Sequence, residues 1–219
     1  MAFGEVGTSL SKIKANSLNL AGTYGFSGTV TGLADETPLV LLSTFTSDGS
    51  DANATFTSSH ITSTYKEYLF VFNNIHPGTN QKYLRFHPSI DNGSNYNLSL
   101  TSSAFTTYHR EDGGGVGPTL EYQTGFDTAS GSTHYISADT GSNNDDGVSG
   151  IMKLYNPSST TFVKHYTTHT VTSSGDGDQY AYDTYTAGYV NTTSAVNNVK
   201  FEFNSGEIQG GTIDLFGVV

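Results

Sequence analysis

The stretch EYLFVFNNI, residues 67–75, is the strongest strand signal in the chain and decides the fold class. Its aromatic residues alternate with Leu69 and Val71, which is the two-residue period of a β-strand. Apolar side chains occupy both sets of positions, so we expect both faces of this strand to be covered. The stretch therefore predicts a central strand in a packed sheet.

Further strand signals recur at short intervals on either side of this stretch, with turn-forming residues between them. The clearest are PLVLLSTF (38–45), KYLRFHPS (82–89), GIMKLYN (150–156), AVNNVKFEFNSG (195–206) and GTIDLFGV (211–218). This spacing is typical of a β-sandwich. We predict an all-β fold of two packed antiparallel sheets with about five strands each, of jelly-roll type or a related β-sandwich. The expected core residues are Phe70, Phe72, Leu84, Phe86, Ile151, Leu154, Phe201, Phe203, Ile213 and Leu215.

The charge and composition of the chain argue against several classes of binding partner and site. The 219 residues include 9 Lys and Arg against 20 Asp and Glu, which gives a net charge of −11. Nucleic-acid binding depends on basic residues that neutralise phosphates, and anionic membrane surfaces also attract basic segments. A chain with so few basic residues suits neither partner. No apolar run is long enough to span a bilayer. We therefore predict no nucleic-acid partner and no membrane insertion. The sequence contains no cysteine, which excludes disulfides, thiolate metal sites and cysteine nucleophiles.

Residues 1–35 differ from the rest of the chain and are predicted to form an extended N-terminal attachment arm. Tyr24, Phe26 and Val30 alternate with small residues, as in a strand that lies on another surface. The few apolar residues of this segment cannot close a core, whereas the later strands can. We therefore divide the chain into an arm, 1–35, and a jelly-roll β-sandwich domain, 36–219. No signal peptide is visible in the arm.

Two kinds of candidate metal site occur in the sequence. His165 and His169 are four residues apart, but on a strand this spacing separates them by ~13 Å. We expect them to be polar residues on a solvated face that share no metal. Acidic turns at 48–51, 143–147 and 176–178 offer the oxygen ligands that Ca²⁺ prefers, yet none matches the twelve-residue loop with a closing Glu. Ordinary Asp/Asn/Gly turns are the expected structure, and calcium binding stays open.

No catalytic constellation can be assembled from the sequence. A glycosidase needs two neighbouring carboxylates. The available ones are Glu67, Glu111, Asp112, Glu121 and Glu202, and nothing in the sequence pairs any of them. The chain has no nucleophile elbow, no phosphate-binding loop and no dinucleotide fingerprint. We predict a protein that is not an enzyme, with no catalytic, cofactor-binding or metal-binding residues and no cofactor.

Tyrosines are concentrated in one segment near the C-terminal end. Tyr180, Tyr182, Tyr185 and Tyr189 could contact a ligand or a neighbouring subunit. A β-sandwich rich in Tyr, Asn and Asp offers rings and polar groups that suit sugar binding. The chain has no Trp, so the usual strongest sugar-stacking ring is missing.

Several segments resemble, in order, virion surface proteins of tailed bacteriophages. LNLAGTYGFSGTVTG resembles the strand and linker of phage appendage proteins. TSTYKEYLFVFNNIHP followed by KYLRFHPSIDNGSNY resembles the opening strands of a jelly-roll domain in fibre and head-decoration proteins. GIMKLYNPSS and the closing SGEIQGGTIDLFGV are similar to the same group. That group often ends Gly-Thr-Ile-x-Leu-Tyr-Gly, and Phe216 here replaces the Tyr.

The resemblance implies a non-enzymatic structural protein of the virion, made in the host cytoplasm. Such a capsid decoration or short fibre or adaptor subunit anchors to other virion proteins through residues 1–35 and displays a jelly roll outward. We also expect a homotrimer or another closed ring, because closed symmetry buries shared surface. One alternative is a carbohydrate- or receptor-binding module of a tail fibre, with a host surface glycan as partner. A glycan depolymerase is a third hypothesis.

Overall fold

The structure, a computed structural model, describes residues 38–114, 118–174 and 179–219. These residues form twelve β-strands and no helix, which confirms the all-β prediction. The strands are β1 (Leu39–Thr46), β2 (Ala54–Phe56), β3 (Glu67–Pro77), β4 (Leu84–Ser89), β5 (Leu100–Arg110), β6 (Thr119–Tyr122), β7 (Thr128–Gly131), β8 (Gly147–Tyr155), β9 (Lys164–Ser174), β10 (Tyr180–Val190), β11 (Asn198–Phe203) and β12 (Ile208–Val218). The predicted arm, 1–35, lies outside the described residues.

The strands form two antiparallel sheets of unequal width that pack as a β-sandwich. The large sheet has nine strands in the order β1-β12-β3-β8-β9-β10-β5-β6, with β7 also paired to β5. The small sheet has the order β2-β11-β4. The expectation of about five strands in each sheet was therefore wrong. The face of the large sheet that meets the small sheet is called the inner face below, and the opposite face is the outer face.

Aromatic side chains fill the space between the two sheets. Phe201 of β11 lies with its ring centroid 5.1 Å from those of both Phe70 and Phe72 on β3. Phe56 of β2 and Phe86 of β4 complete the cluster around it. Burial of these rings is the main source of stability in a chain without disulfides.

Nine of the ten predicted core residues are buried. They are Phe70, Phe72, Leu84, Phe86, Leu154, Phe201, Phe203, Ile213 and Leu215. The prediction for Ile151 was wrong, because its side chain is 37% exposed on the outer face of β8. Ile151 and Met152 are both apolar, and the two-residue period allows only one of two neighbours to face inward. Met152 occupies the inner position and is fully buried.

The inner face of the large sheet extends beyond the small sheet and is covered there by residues 134–140. This segment runs beside β4, where the Ile136 amide donates to the Leu84 carbonyl at 2.9 Å. Thr170 of β9 in turn donates its hydroxyl to the Ile136 carbonyl at 2.7 Å. The buried inner face of β5 and β10 is likewise lined by threonine, and the hydroxyls of Thr106 and Thr184 lie 3.2 Å apart. Thr106, Thr170 and Thr184 can be buried at these positions because each hydroxyl has a hydrogen-bond partner.

Candidate ligand-binding cleft

A cleft of about 350 Å³ opens on the inner side of the large sheet, beyond the edge of the small sheet. One wall consists of side chains from β5 and β10, and the other of Tyr83, before β4, and the segment that follows β6. Its volume lies at the lower end of the range for small-molecule sites. The cleft therefore has room for one small ligand.

The first wall is a group of three tyrosines that strand alternation turns inward. Tyr108 of β5 pairs directly with Tyr182 of β10, and Tyr180 is two residues from Tyr182 on the same face. The ring of Tyr108 lies 5.6 Å from that of Tyr182 at an angle of 48°. It lies 5.8 Å from the Tyr180 ring at 79°. Since none of these rings stacks flat on another, ring faces stay available to a ligand.

The second wall contains another aromatic group, formed by Tyr83, Phe126 and Tyr135. Their ring centroids are 5.3 to 5.9 Å apart, again with tilted or edge-on geometry. The amide of Tyr83 donates to the Asn204 side-chain oxygen at 3.1 Å, which holds the start of β4 in place. Two aromatic groups thus face one cleft from opposite sides, and Tyr83 and Phe126 line it directly.

Glu121, Gln123 and Asp139 also line the cleft, together with Thr106 and Ala138. The Tyr108 hydroxyl donates to Glu121 Oε1 at 3.2 Å, and Gln123 Nε2 donates to Glu121 Oε2 at 3.4 Å. Carboxylates accept hydrogen bonds, while an amide both donates and accepts. The lining therefore combines flat apolar rings with groups that can bind hydroxyls.

The phenols of Tyr83 and Tyr182 stay protonated at neutral pH. Burial, reinforced by the negative charge of Asp139, raises the pKa of Tyr182 to about 12. The same two causes raise the pKa of Tyr83. A protonated phenol can both donate and accept a hydrogen bond. The two side chains thus offer hydrogen-bonding hydroxyls to a ligand beside their ring faces.

The tyrosines singled out from the sequence divide between the two faces of β10. Tyr180 and Tyr182 line the cleft, whereas Tyr185 and Tyr189 lie on the outer face with more than a third of their surface exposed. The structure also brings Tyr83 and Tyr108 into the cleft, which sequence reasoning missed. The only signal for Tyr108 was the weak alternation of β5, and nothing in the sequence connects Tyr83 to β10.

An exposed aromatic row crosses the outer face of the large sheet. Direct cross-strand pairing aligns Tyr122, Phe105, Tyr185, His169 and Ile151 on β6, β5, β10, β9 and β8. The Phe105 and Tyr185 rings stack at 5.0 Å with an angle of 11°. The Tyr185 and His169 rings stack at 4.1 Å with an angle of 10°. This row is called the outer ladder below.

The two histidines proposed as polar surface residues lie as expected on the outer face of β9. His165 is exposed, and the ring of His169 is half-exposed. His169 Nε2 lies 2.5 Å from Asp183 Oδ1 on the neighbouring strand β10. Within the residues that the structure describes, no group of three or more His, Asp or Glu side chains could hold a metal ion.

The described acidic turns are held by internal hydrogen bonds. In the turn 48–51, the Ser50 amide donates to Asp48 Oδ1 at 3.0 Å, and the Asp48 amide donates to Asp51 Oδ2 at 2.8 Å. In the turn 143–147, the Asn143 amide donates to Asp146 Oδ2 at 3.0 Å. These are side-chain-to-backbone turns of the kind expected for Asp and Asn. The third turn, 176–178, lies outside the described residues.

Four of the five candidate catalytic carboxylates do not line the cleft. Glu67 pairs with Lys153 at 2.7 Å on the outer face, and Asp112 pairs with Arg110 at 2.7 Å. Glu202 lies on the exposed face of β11, 2.9 Å from Arg85 and 2.8 Å from Lys200. Glu111 lines a smaller hollow with Asp145 and Asp146. Of the five candidates, only Glu121 lines the aromatic cleft.

Comparisons with known proteins add no assignment. No protein-family model, no curated protein and no solved structure matches the chain. In the part of the chain that the structure describes, no helix is long and apolar enough to cross a membrane. The chemistry of the cleft is therefore the basis for a functional assignment.

Proposed function

We propose that this chain is a non-enzymatic virion surface protein of a tailed bacteriophage, whose jelly-roll-type domain binds carbohydrate in the aromatic cleft. One observation carries the binding function: two groups of three tilted aromatic rings meet at one cleft that is also lined by Glu121, Gln123 and Asp139. A sugar ring has an apolar face of C–H groups and a rim of hydroxyls. Both parts of such a ligand find complementary groups in the lining.

The polar groups of the cleft suit a neutral, hydroxyl-rich ligand better than an anion. Glu121 and Asp139 would repel a phosphate or carboxylate, because the described lining includes no Lys or Arg to balance them. Hydroxyls can donate to these carboxylates and can accept from Gln123 and from the protonated phenols of Tyr83 and Tyr182. The class of ligand that fits is therefore a neutral glycan.

The virion location rests on the sequence resemblance. A capsid decoration or a short fibre or adaptor subunit attached through residues 1–35 would present the sandwich outward, where it meets the host surface. A glycan on that surface is then the natural ligand. Detection of the chain in purified particles by mass spectrometry tests this part of the proposal, and its absence from the particles would contradict it.

Glycan arrays followed by titration calorimetry test the binding function. We expect the purified chain to bind one class of neutral bacterial surface oligosaccharide. Tyr182→Ala should weaken this binding by at least about tenfold, or ~1.4 kcal/mol. Tyr189→Ala is the matched control, because it removes the same ring from the same strand on the outer face. No binding to any glycan, or an equal loss in the two variants, would contradict carbohydrate binding in the cleft.

Glycan cleavage is a second candidate function, favoured by one observation. Glu121 and Asp139 line the same cleft, and a glycosidase uses two carboxylates that flank the scissile bond. Incubating the protein with the bound glycan and measuring new reducing ends distinguishes the two functions. Binding alone leaves the glycan intact. Cleavage that Glu121→Gln abolishes, with binding retained, would identify an enzyme.

A further inference from the structure

The outer face of the large sheet carries an exposed apolar surface that the cleft does not explain. The outer ladder forms its centre. Tyr122 is 58% exposed and Phe105 is 45% exposed, although both lie on paired strands within the described domain. Contiguous apolar surface of this kind on a folded domain marks an interaction site.

The geometry of the ladder does not suit a sugar. Phe105, Tyr185 and His169 stack face to face at 10° to 11°, so each ring covers the face of the next. Tyr185, between the other two rings, is covered on both faces and presents only its ring edge. A sugar needs an open ring face to stack on, whereas a flat protein surface can pack against a row of edges.

A hollow lies beside the ladder on the same face. It has a volume of about 480 Å³ and is lined by Leu120, Thr107, Asp183 and Val171 among others. All four are the next outward-facing residues along the ladder strands, because Leu120 pairs with Thr107, Thr107 with Asp183, and Asp183 with Val171. Their side chains are smaller than the rings of the ladder. One face thus carries a ridge and a neighbouring depression, which is the arrangement that a self-complementary two-fold contact requires.

Charge on this face is sparse and internally paired. Lys153 lies 2.7 Å from Glu67, and His169 lies 2.5 Å from Asp183. The whole chain carries a net charge of −11, so two copies repel each other over most of their surfaces. On this face the acidic groups already have partners, so the repulsion between two copies is weaker here than elsewhere on the surface.

The face is large enough for a stable contact. Across the sheet, it covers the six strands β6, β5, β10, β9, β8 and β3, which are ~4.8 Å apart. Along the strands, it covers about nine residues of β10 at ~3.4 Å each. The product of these two lengths is roughly 800 Å². A standard protein interface buries about this area on each partner. We propose that the outer face packs against the same face of a second copy of this chain, with the outer ladder of each copy in the hollow of the other.

Sedimentation velocity and native mass spectrometry of the full chain test the proposal. The expected species is a dimer with twice the mass of the chain. Tyr185→Lys should raise the dissociation constant by about a hundredfold or more, because it removes the central ring of the ladder and buries a charged side chain in the contact, which costs desolvation free energy. Phe162→Lys is the matched control: Phe162 is 69% exposed in the segment between β8 and β9 and does not belong to the ladder. This control should remain dimeric.

A second variant separates loss of the dimer from loss of the fold. Phe105→Thr combined with Tyr185→Thr keeps good strand formers on the face while removing two rings of the ladder. It should be folded by circular dichroism and monomeric at concentrations where the wild type is dimeric. A wild type that is monomeric or trimeric throughout overturns the proposal. A dimer that the ladder variants weaken no more than Phe162→Lys also overturns it.

Discussion

Replacing Phe201 by alanine is the sharpest test of the sandwich core. Phe201 is fully buried at the centre of β11. Its ring centroid lies 5.1 Å from those of Phe70 and Phe72, 5.9 Å from Phe86 and 6.2 Å from Phe56. These four partners come from three different strands on both sheets. The substitution therefore removes a ring that links the two layers, beside the direct contact of Phe56 with Phe70 at 5.3 Å.

The expected loss follows from burial and ring contacts. Removing a buried phenylalanine side chain costs about 3 to 5 kcal/mol, and the cost rises with the cavity that remains. The partners of Phe201 are held by two separate sheets, so the surrounding structure cannot collapse into the space. Edge-to-face ring pairs each contribute roughly 0.5 to 1.5 kcal/mol more. We expect a loss near the upper limit, about 5 kcal/mol in the free energy of unfolding.

Equilibrium urea denaturation followed by far-UV circular dichroism measures this loss. With a slope of ~2 to 3 kcal/mol per molar urea, the midpoint should fall by about 2 M. Phe162→Ala makes the same chemical change at a side chain that is 69% exposed, and should shift stability by no more than about 0.5 kcal/mol. A loss below ~1.5 kcal/mol for Phe201→Ala, or equal losses in the two variants, would refute the argument that this ring joins the two sheets.

Three further predictions concern pH, a backbone position and the arm. Burial lowers the pKa of both His87 and His134 to about 4, so below about pH 6.5 the unfolded chain binds more protons than the folded one. Stability should be unaffected by these groups above that pH and fall progressively toward pH 4; urea midpoints that stay constant across this window would contradict it. Gly211 has a φ of +97° and its β-carbon would collide with the Asn74 carbonyl, so Gly211→Ala should cost about 2 kcal/mol or more, which thermal denaturation can check. Deleting residues 1–35 should leave a folded domain that no longer enters virus particles; an unfolded product would show that these residues belong to the domain.

The strands with clear alternation of apolar and polar residues could be predicted from the sequence. On β11, Phe201 and Phe203 face the core while Lys200 and Glu202 face outward, as their order indicates. On β9 the rule is less informative, because threonines such as Thr168 and Thr170 face inward while the histidines face out. A hydroxyl that donates to a nearby backbone carbonyl can be buried at little cost, and the sequence does not show where such an acceptor lies.

The dipeptide Asn92-Gly93 is the best hairpin-turn signal in the sequence, and it predicts the local conformation but not the strand pairing. Asn92 and Gly93 both have positive φ values, 58° and 81°, as expected for this dipeptide. The turn nevertheless does not join paired strands, because β4, which precedes it, pairs with β11. Local residues set the φ values of a turn, whereas pairing is decided by distant strands that compete for the same edge.

The cleft could be predicted only in part, because its walls are brought together by residues that are distant in sequence. Tyr180 and Tyr182 stood out because they are close together in sequence. Tyr83 and Tyr108 reach the same cleft only after the large sheet has formed and residues 134–140 have covered its inner face. Sequence separation conceals such a site whenever its walls come from different elements.

The pairing of β1 with β12 affects the folding kinetics of the domain. Leu39 lies opposite Val218, and the Val219 amide donates to the Pro38 carbonyl at 3.1 Å, so the two ends of the domain meet at one edge of the sheet. This contact closes a loop as long as the domain itself, and such long-range pairings slow folding. A circular permutant that joins Val219 to Pro38 through a short linker would turn the pair into a local hairpin. Stopped-flow refolding of this permutant should then be faster than that of the parent chain.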